Sequence, residues 1–172
     1  MRGGIRSALA DDEGVPTTRK LIIEKGILRT YLYDYYNARI AGVEPTGNGF
    51  RRGARTIEDI HKHPAGATPS NVEIVPGGKS IDDIISNTEH GVLVKKFAAP
   101  YVDFITGNFG LEIRNAVLIK NGEEKEPIKH ALLVGNMYDC LKNITGIAKE
   151  REKIGIVLLP AIRFREMQLV GL

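Results

Sequence analysis

The side chains best suited to metal or hydrolytic chemistry are the four histidines of this 172-residue chain. Hydrolytic zinc sites commonly place two histidines on one helical face with a glutamate between them, so that a metal-bound water lies beside a general base. His61, His63, His90 and His130 do not have this spacing. His61 and His63 are two residues apart and would face one metal if the segment were extended, but no third ligand is in evidence. The residues therefore predict no catalytic constellation, no metal site and no cofactor in this chain, and they favour exposed loop histidines.

The single cysteine, Cys140, excludes an internal disulfide and indicates a reducing compartment, the cytoplasm. It belongs to an apolar helical pattern with Met137, Leu141 and Ile144. This pattern favours a buried, unreactive thiol over a nucleophile or a metal ligand.

Three turn clusters are the remaining candidate sites, since glycine permits close approach of a ligand and asparagine both donates and accepts hydrogen bonds. The clusters supply the candidate substrate- or partner-contacting residues, which are Thr46, Gly47, Asn48, Thr106, Gly107, Asn108 and Asn136. The alternative is that these residues only form turns.

One basic cluster, Arg51, Arg52 and Arg55, raises the possibility of a phosphate-binding patch. The net charge is only +3, the two signs are mixed along the chain, and no aromatic residues alternate with these arginines. A solvated loop is therefore favoured, and a nucleic-acid partner is not expected.

The composition is that of a soluble globular protein, with 42% hydrophobic and 26% charged residues. No run of about 18 apolar residues predicts a membrane span, and the first residues do not resemble a signal peptide. We expect one domain over residues 11–172, preceded by an arm or remnant of a longer chain at residues 1–10.

Short strands and frequent turns dominate the predicted elements. Lys25-Gly26 predicts a hairpin within residues 21–33, and Asp34 and Gly42 bound a helix over residues 35–41. Further elements are a helix beginning after Ser80, a hairpin at Asn121-Gly122, a helix over residues 137–144 capped by Asn136, and strands at 72–75, 92–94, 102–106, 111–120, 131–134, 156–159 and 162–170. The tyrosines at 31, 33, 35 and 36 are expected to pack the first hairpin onto its helix. The fold class is therefore α+β, with a predominantly antiparallel sheet curled into a sandwich or open barrel and about three short helices.

An ordered set of motifs resembles the carboxy-terminal domain of the TldD/PmbA family over residues 11–171. Each motif is modest, but their order is specific. They are residues 11–17 (DDEGVPT), 21–28 (LIIEKGIL), 46–49 (TGNG), 74–77 (IVPG), 91–94 (GVLV), 105–109 (ITGNF), 118–123 (LIKNGE) and 135–136 (GN). Leu9-Ala10 depart from the family's usual Pro-Phe.

The resemblance implies a longer protein with an amino-terminal domain, acting in a two-chain cytoplasmic assembly that cleaves peptides or unfolded chains. In that family the TldD-type chain carries a zinc-binding helix in the amino-terminal domain and a cysteine ligand near its carboxy terminus. The PmbA-type chain, also called TldE, lacks these ligands. Residues 147–156 contain no cysteine and Cys140 lies earlier, so the chain resembles the PmbA type more closely.

Three functions follow from these observations. The first is a non-catalytic PmbA/TldE-like domain that pairs with a TldD-like catalytic chain, or with a second copy of itself, while the partner or an absent domain holds zinc. The second is the carboxy-terminal part of an active TldD-type metalloprotease. The third, suggested by the family's other name, is a nucleic-acid-associated modulator of DNA gyrase.

Overall fold

The computed structural model describes residues 4–52 and 56–171 of the chain, which divide into two compact units. The first comprises the described residues of Met1–Ile74 together with Lys153–Leu158, and the second comprises those of Val75–Glu152 and Leu159–Leu172. No helix within these described ranges is long and apolar enough to cross a membrane. The expected arm at residues 1–10 and domain at 11–172 remain predictions.

The first unit begins with the predicted hairpin, which is shorter than the sequence suggested. Strands β1 (Ile23–Glu24) and β2 (Ile27–Leu28) pair antiparallel. Lys25 and Gly26 both have positive φ, 50° and 79°, as a two-residue hairpin turn requires.

Helix α1 (Tyr35–Ala41) has the predicted bounds because both caps are specified locally. The Asp34 side chain accepts a hydrogen bond from the Asn37 backbone N–H, and Gly42 ends the helix at φ 68°. Tyr31, Tyr35 and Tyr36 are more than half exposed, so the prediction that the tyrosines pack the hairpin onto this helix is wrong for these three.

The segment that follows α1 is mostly irregular. It contains β3 (Gly49–Phe50) paired antiparallel with β4 (Gly66–Ala67), and a single 3₁₀ turn at Ile60–Lys62. Strand β5 (Val72–Glu73) is the last strand of the first unit before residue 75.

The second unit is built on a five-stranded antiparallel sheet. Its strands are β6 (His90–Phe97), β7 (Asn108–Lys120), β8 (Glu123–Ile128), β9 (Ala131–Asn136) and β12 (Gln168–Val170), in the order β12-β9-β7-β6 with β8 also paired to β7. The predicted turn between β7 and β8 is confirmed, with Asn121 and Gly122 at φ 51° and 78°. A buried cluster on this sheet is formed by Ile113, Ala116, Ile128 and Ala131 of strands β7, β8 and β9.

Two short helices flank these strands. Helix α2 (Ile81–Ser86) begins with a capping box in which Ser80 and Asp83 bond each other's backbone N–H groups. Helix α3 (Met137–Lys142) is capped by Asn136 as predicted, but it ends two residues earlier than residue 144. Cys140 on α3 packs in a second buried cluster with Phe109 and Leu111.

The remaining sheet has the strand order β10-β11-β5, where β10 is Ile144–Ile154 and β11 is Val157–Phe164. Strand β11 pairs with β5 in parallel through Val157 and Leu158. The pairs β1–β2, β3–β4, β6–β7, β7–β8, β7–β9 and β9–β12 are antiparallel. The α+β class, with mostly antiparallel sheet and three α-helices in the described chain, is confirmed.

The predicted strand at residues 102–106 is wrong. Only Val102 makes an isolated β-bridge, to Phe109. The Asp103 carboxylate instead accepts hydrogen bonds from the backbone N–H groups of Ile105 and Thr106, which closes a turn. A local polar side chain therefore overrides the β propensity of this segment.

Candidate functional site

The Thr46-Gly47-Asn48 turn lies in the first unit, where its polar groups are used inside the fold. The Thr46 hydroxyl accepts a hydrogen bond from the Tyr33 N–H at 2.8 Å and lies 3.1 Å from Asn48 Oδ1. The buried Asn48 donates from Nδ2 to the Thr68 carbonyl at 3.0 Å. These bonds fix the turn, while the predicted contact of Thr46, Gly47 and Asn48 with substrate or partner stays a prediction.

Gly47 is required by both conformation and space. Its φ is 66°, and a Cβ atom at this position would lie 2.2 Å from the Pro16 carbonyl oxygen. The acidic loop containing residues 11–17 therefore packs directly against the backbone of the turn.

Asp11 joins the two loops through a buried carboxylate. Its Oδ1 accepts from the backbone N–H groups of Glu13 and Val15 at 3.0 and 2.9 Å, and its Oδ2 accepts from Gly49 at 2.8 Å. Three donors compensate the cost of burying this charge.

Asp34 is the most buried carboxylate in the described chain, at 2% exposure. It accepts from the Asn37 N–H at 2.7 Å and from the Ala67 N–H at 3.0 Å. These donors lower the pKa of Asp34, with the Asn37 backbone bond as the largest cause and burial acting in the opposite direction. The carboxylate therefore stabilises the first unit as an anion.

The Thr106, Gly107, Asn108 and Asn136 candidates are brought together in the second unit. Asn136 Nδ2 donates to the Thr106 carbonyl at 2.8 Å and to Asn108 Oδ1 at 2.9 Å. The Gly107 carbonyl accepts from the Met137 N–H at 2.8 Å, so the turn is bonded to the start of α3. The predicted role of these residues in contacting substrate or partner stays a prediction.

This turn carries two large apolar side chains into solvent. Phe104 and Ile105 are 84% and 91% exposed. The Tyr138 hydroxyl donates to the Phe104 carbonyl at 3.1 Å, and Asp103 holds the following backbone. Both side chains are therefore presented on a turn that is tied to its surroundings.

The four histidines do not converge with other ligands. His90 pairs with Lys120 at the start of β6, and His130 lies between β8 and β9 at φ 60°. The backbone carbonyls of His61 and His63 accept hydrogen bonds from Arg51 Nη1. Within residues 4–52 and 56–171, no three His, Cys, Asp or Glu side chains form a group able to hold a metal ion.

Cys140 has the environment expected of a structural thiol. It is 6% exposed, and its Sγ lies 3.6 Å from Met167 Sδ. Burial raises the pKa of Cys140, and the neighbouring Asp139 charge raises it further. The thiol is therefore protonated near neutral pH, which disfavours a role as a thiolate ligand or nucleophile.

Comparison with known proteins gives the family. Residues 1–171 match the PmbA/TldA metallopeptidase C-terminal domain. The chain belongs to the PmbA/TldD metallopeptidase family. Its curated relatives include a metalloprotease TldD homolog of Buchnera aphidicola, 33% identical over 81% of this chain and 28% of the relative, and metalloprotease PmbA of Escherichia coli O157:H7, 30% identical over 98% of this chain and 33% of the relative.

Crystal structures from the same family share the fold. TldE from Thermococcus kodakarensis superposes with a TM-score of 0.83 at 32% identity, covering 95% of this chain and 36% of that one. A proposed modulator of a DNA gyrase from Thermotoga maritima superposes with a TM-score of 0.85 at 30% identity, covering 97% of this chain and 36% of that one. The chain thus spans about a third of the length of the relatives it matches.

A metal is implied for the family because several relatives are named metalloproteases. The donors of the described chain do not fit zinc, since its histidines are dispersed and its one cysteine is a buried, protonated thiol. No step of peptide hydrolysis is therefore assigned to these residues.

Proposed function

We propose that the chain is the non-catalytic, PmbA/TldE-like carboxy-terminal domain of a zinc-dependent peptidase assembly that acts on peptides or unfolded chains. The observation that carries this proposal is the state of Cys140. The TldD-type chain is expected to supply a cysteine ligand near its carboxy terminus, whereas here the sole cysteine lies on α3 and packs against Met167. In this proposal zinc is held by a TldD-like partner or by a domain outside this chain.

The extent of the alignments supports the PmbA type. The match to the PmbA homolog of Buchnera aphidicola extends over 99% of this chain, at 29% identity. The matches to TldD homologs are somewhat more identical, 31% to 33%, but stop at 81% to 85% of the chain. A match over nearly the whole of this chain, at nearly equal identity, favours the PmbA type, which lacks the metal ligands.

Exposed apolar side chains support an assembly with another chain, either a TldD-like partner or a second copy. In the first unit Tyr36 and Ile40 on α1 are 71% and 69% exposed, and the adjoining hairpin exposes Ile23, Ile27 and Leu28. Large apolar side chains that together form an exposed patch mark a surface for interaction with another protein.

The second candidate is the carboxy-terminal part of an active TldD-type protease, which the identity to TldD homologs favours. The zinc-binding helix would then lie upstream of this chain in the same protein. Translating the gene upstream of Met1 separates the candidates: a helix with two histidines and an intervening glutamate supports the TldD type, and its absence supports the PmbA type.

The decisive measurement is the zinc content and peptidase activity of the purified chain, alone and mixed with a TldD-type chain. We expect substoichiometric zinc and no cleavage by the chain alone, and cleavage only in the mixture. Stoichiometric zinc together with peptide cleavage by the isolated chain would reject the proposal. In that event Cys140→Ala and His61→Ala variants would show whether either side chain is a ligand.

A further inference from the structure

A basic cleft in the first unit has no role in the proposal above. It encloses about 290 Å³ and is lined by Arg6, Arg51 and Arg52, by one acid, Asp12, and by apolar side chains that include Phe50 and Ile60. Three guanidinium groups against one carboxylate give the lining a net positive charge. Arg51 and Arg52 belong to the basic cluster predicted from the sequence, whereas Arg6 is distant in sequence and was not included in it. The third member of that cluster, Arg55, lies outside the described residues.

The three arginines are not neutralised by ion pairs. None of the ion pairs formed among residues 4–52 and 56–171 involves Arg6, Arg51 or Arg52. The one carboxylate, Asp12, accepts a hydrogen bond from the Arg51 N–H at 2.7 Å through its Oδ2, and its single negative charge offsets only part of the charge of three guanidinium groups. The cleft therefore offers guanidinium donors to an anion from solution.

Arg51 has a structural task that separates it from the other two. Its Nη1 donates to the carbonyls of His61 and His63, at 3.4 and 3.1 Å, and so holds the 3₁₀ turn that carries Ile60. Arg51 is therefore part of the cleft wall, and its replacement would disturb the backbone as well as the charge.

Arg52 is held in a position suited to ligand binding. Its guanidinium carbon lies over the ring of the buried Phe50, 4.5 Å from the ring centroid, as in a cation–π contact, and the Arg52 residue remains exposed. Partial desolvation lowers the pKa of Arg52, and the charge of Arg6 lowers it further, whereas Asp12 acts in the opposite direction. An anion between Arg6 and Arg52 would relieve this repulsion.

We propose that this cleft binds a carboxylate group of a peptide, with Arg6 and Arg52 as its ligands, Phe50 supporting the Arg52 guanidinium, and Ile60 against the neighbouring apolar side chain. The fork of N–H donors on a guanidinium matches the two oxygens of a carboxylate. The choice of a peptide as ligand rests on the proposed role in a peptidase assembly, whereas the anion site rests on the cleft alone. Both a chain-terminal carboxylate and an Asp or Glu side chain have the required chemistry.

A carboxylate fits the cleft better than a nucleic-acid backbone does. Asp12 contributes a negative charge to the lining, which disfavours a densely charged polyanion. Binding of a nucleic-acid backbone also requires an extended basic track, commonly with stacking aromatics, whereas this cleft is small and its one lining aromatic ring is covered by Arg52.

The test is calorimetric titration of the whole chain, without added zinc, against matched peptides. One apolar N-acetylated peptide has a free terminal carboxylate, a second is the same peptide amidated, and a third is amidated but contains a single Glu. We expect the first or the third to bind at least about tenfold more tightly than the second, because a lost charge-assisted pair weakens affinity by this factor or more. Which of the two binds identifies the carboxylate source.

Variants assign the binding to the cleft. Arg6→Gln and Arg52→Gln should each weaken carboxylate binding at least about tenfold, and Arg52→Lys should do so less, because it keeps the charge but loses the planar fork. Arg39→Gln on the exposed face of α1 is the control, since it removes the same charge from the same unit without touching the cleft. Circular dichroism of every variant confirms that the fold is retained.

Four outcomes would overturn the proposal: no binding of either carboxylate peptide, equal binding of the amidated peptide without Glu, equal weakening by Arg39→Gln, or tighter binding of inorganic phosphate or duplex DNA than of the peptides. Because the titration contains no metal and requires no cleavage, its failure would leave the proposed non-catalytic role intact. Conversely, zinc-dependent cleavage by the isolated chain would reject that role without altering the binding result.

Discussion

Replacing Asp34 tests whether one buried carboxylate fixes the first unit. Asp34→Ala removes the cap of α1, which costs about 1 kcal/mol. It also removes the partner of the Ala67 N–H, now bonded at 3.0 Å. Because Ala67 is exposed, water can replace part of this bond, and its loss costs about 0.5–1.5 kcal/mol. We therefore expect Asp34→Ala to lower the free energy of unfolding by about 1.5–2.5 kcal/mol.

The pH dependence of the free energy of unfolding tests the role of Asp34 independently. The pKa of Asp34 is lowered in the folded chain, so its stabilising effect is fully present above the unfolded-state pKa and is lost as the pH falls through the folded-state pKa. Asp34→Asn keeps one acceptor oxygen but cannot titrate. The difference in stability between the unsubstituted chain and Asp34→Asn should be constant from about pH 5 to pH 7 and shrink below about pH 4.

Urea unfolding followed by tyrosine fluorescence is the appropriate assay. The chain has no tryptophan, and four of its six tyrosines, at positions 31, 33, 35 and 36, belong to the first unit, so this signal mainly reports the unit that contains Asp34. Glu44→Gln, at an exposed carboxylate of the same unit, is the control and should change stability by no more than about 0.5 kcal/mol. The reasoning is refuted if Asp34→Ala costs no more than this control, or if the Asp34→Asn difference persists unchanged in acid.

Three further predictions test contacts in both units. Gly47→Ala should destabilise the first unit by more than about 2 kcal/mol in the same urea assay, because it adds a clash with a backbone oxygen to a strained φ, whereas Gly14→Ala, with φ 82° but open space, should cost only about 1 kcal/mol. In the second unit Gly77→Ala would place a Cβ atom 1.9 Å from the Ile147 carbonyl oxygen, so it should lower the thermal midpoint of unfolding measured by circular dichroism. Gly78→Ala is the control, because a Cβ atom there meets no atom within 4 Å and should be tolerated. Equal shifts of the midpoint in the two variants would contradict this packing. Cys140 should react with a thiol reagent at least about a hundredfold more slowly in the native chain than in urea, and similar rates would show that the thiol is accessible.

The parts of the fold that the sequence predicted well are those encoded by adjacent residues. Asp34 and Gly42 bound α1, Ser80 begins α2, and Asn121-Gly122 turns β7 into β8, because each of these signals satisfies backbone groups within a few positions. Prediction of element type therefore required no knowledge of the tertiary structure at these places.

Elements that depend on distant partners were missed. Strand β10 (Ile144–Ile154) contains the charged run 149–153, which lacks the apolar alternation expected of a strand. Its N-terminal half is fixed by long-range bonds, such as that from the Lys149 N–H to the Lys79 carbonyl at 2.8 Å. The exposed tyrosines show the converse error, since aromatic spacing alone does not establish that a neighbouring surface covers them.

The asparagine-containing turns and the arginine-lined cleft differ in whether their polar side chains are already hydrogen-bonded within the fold. Asn48 and Asn136 were singled out because asparagine beside glycine offers donors and acceptors, yet the structure uses both side chains to hold turns together. No buried side-chain nitrogen or oxygen in the described ranges lacks a partner, so the interior retains no unmet capacity for a ligand. Arg6 and Arg52 differ because their charges face one cleft without ion pairs, and such charges gain most from an incoming anion. In this chain a ligand site is therefore expected where charged side chains at the surface have no ion-pair partner. A sequence motif indicates such a site only when the fold leaves the hydrogen-bond donors of the motif without partners.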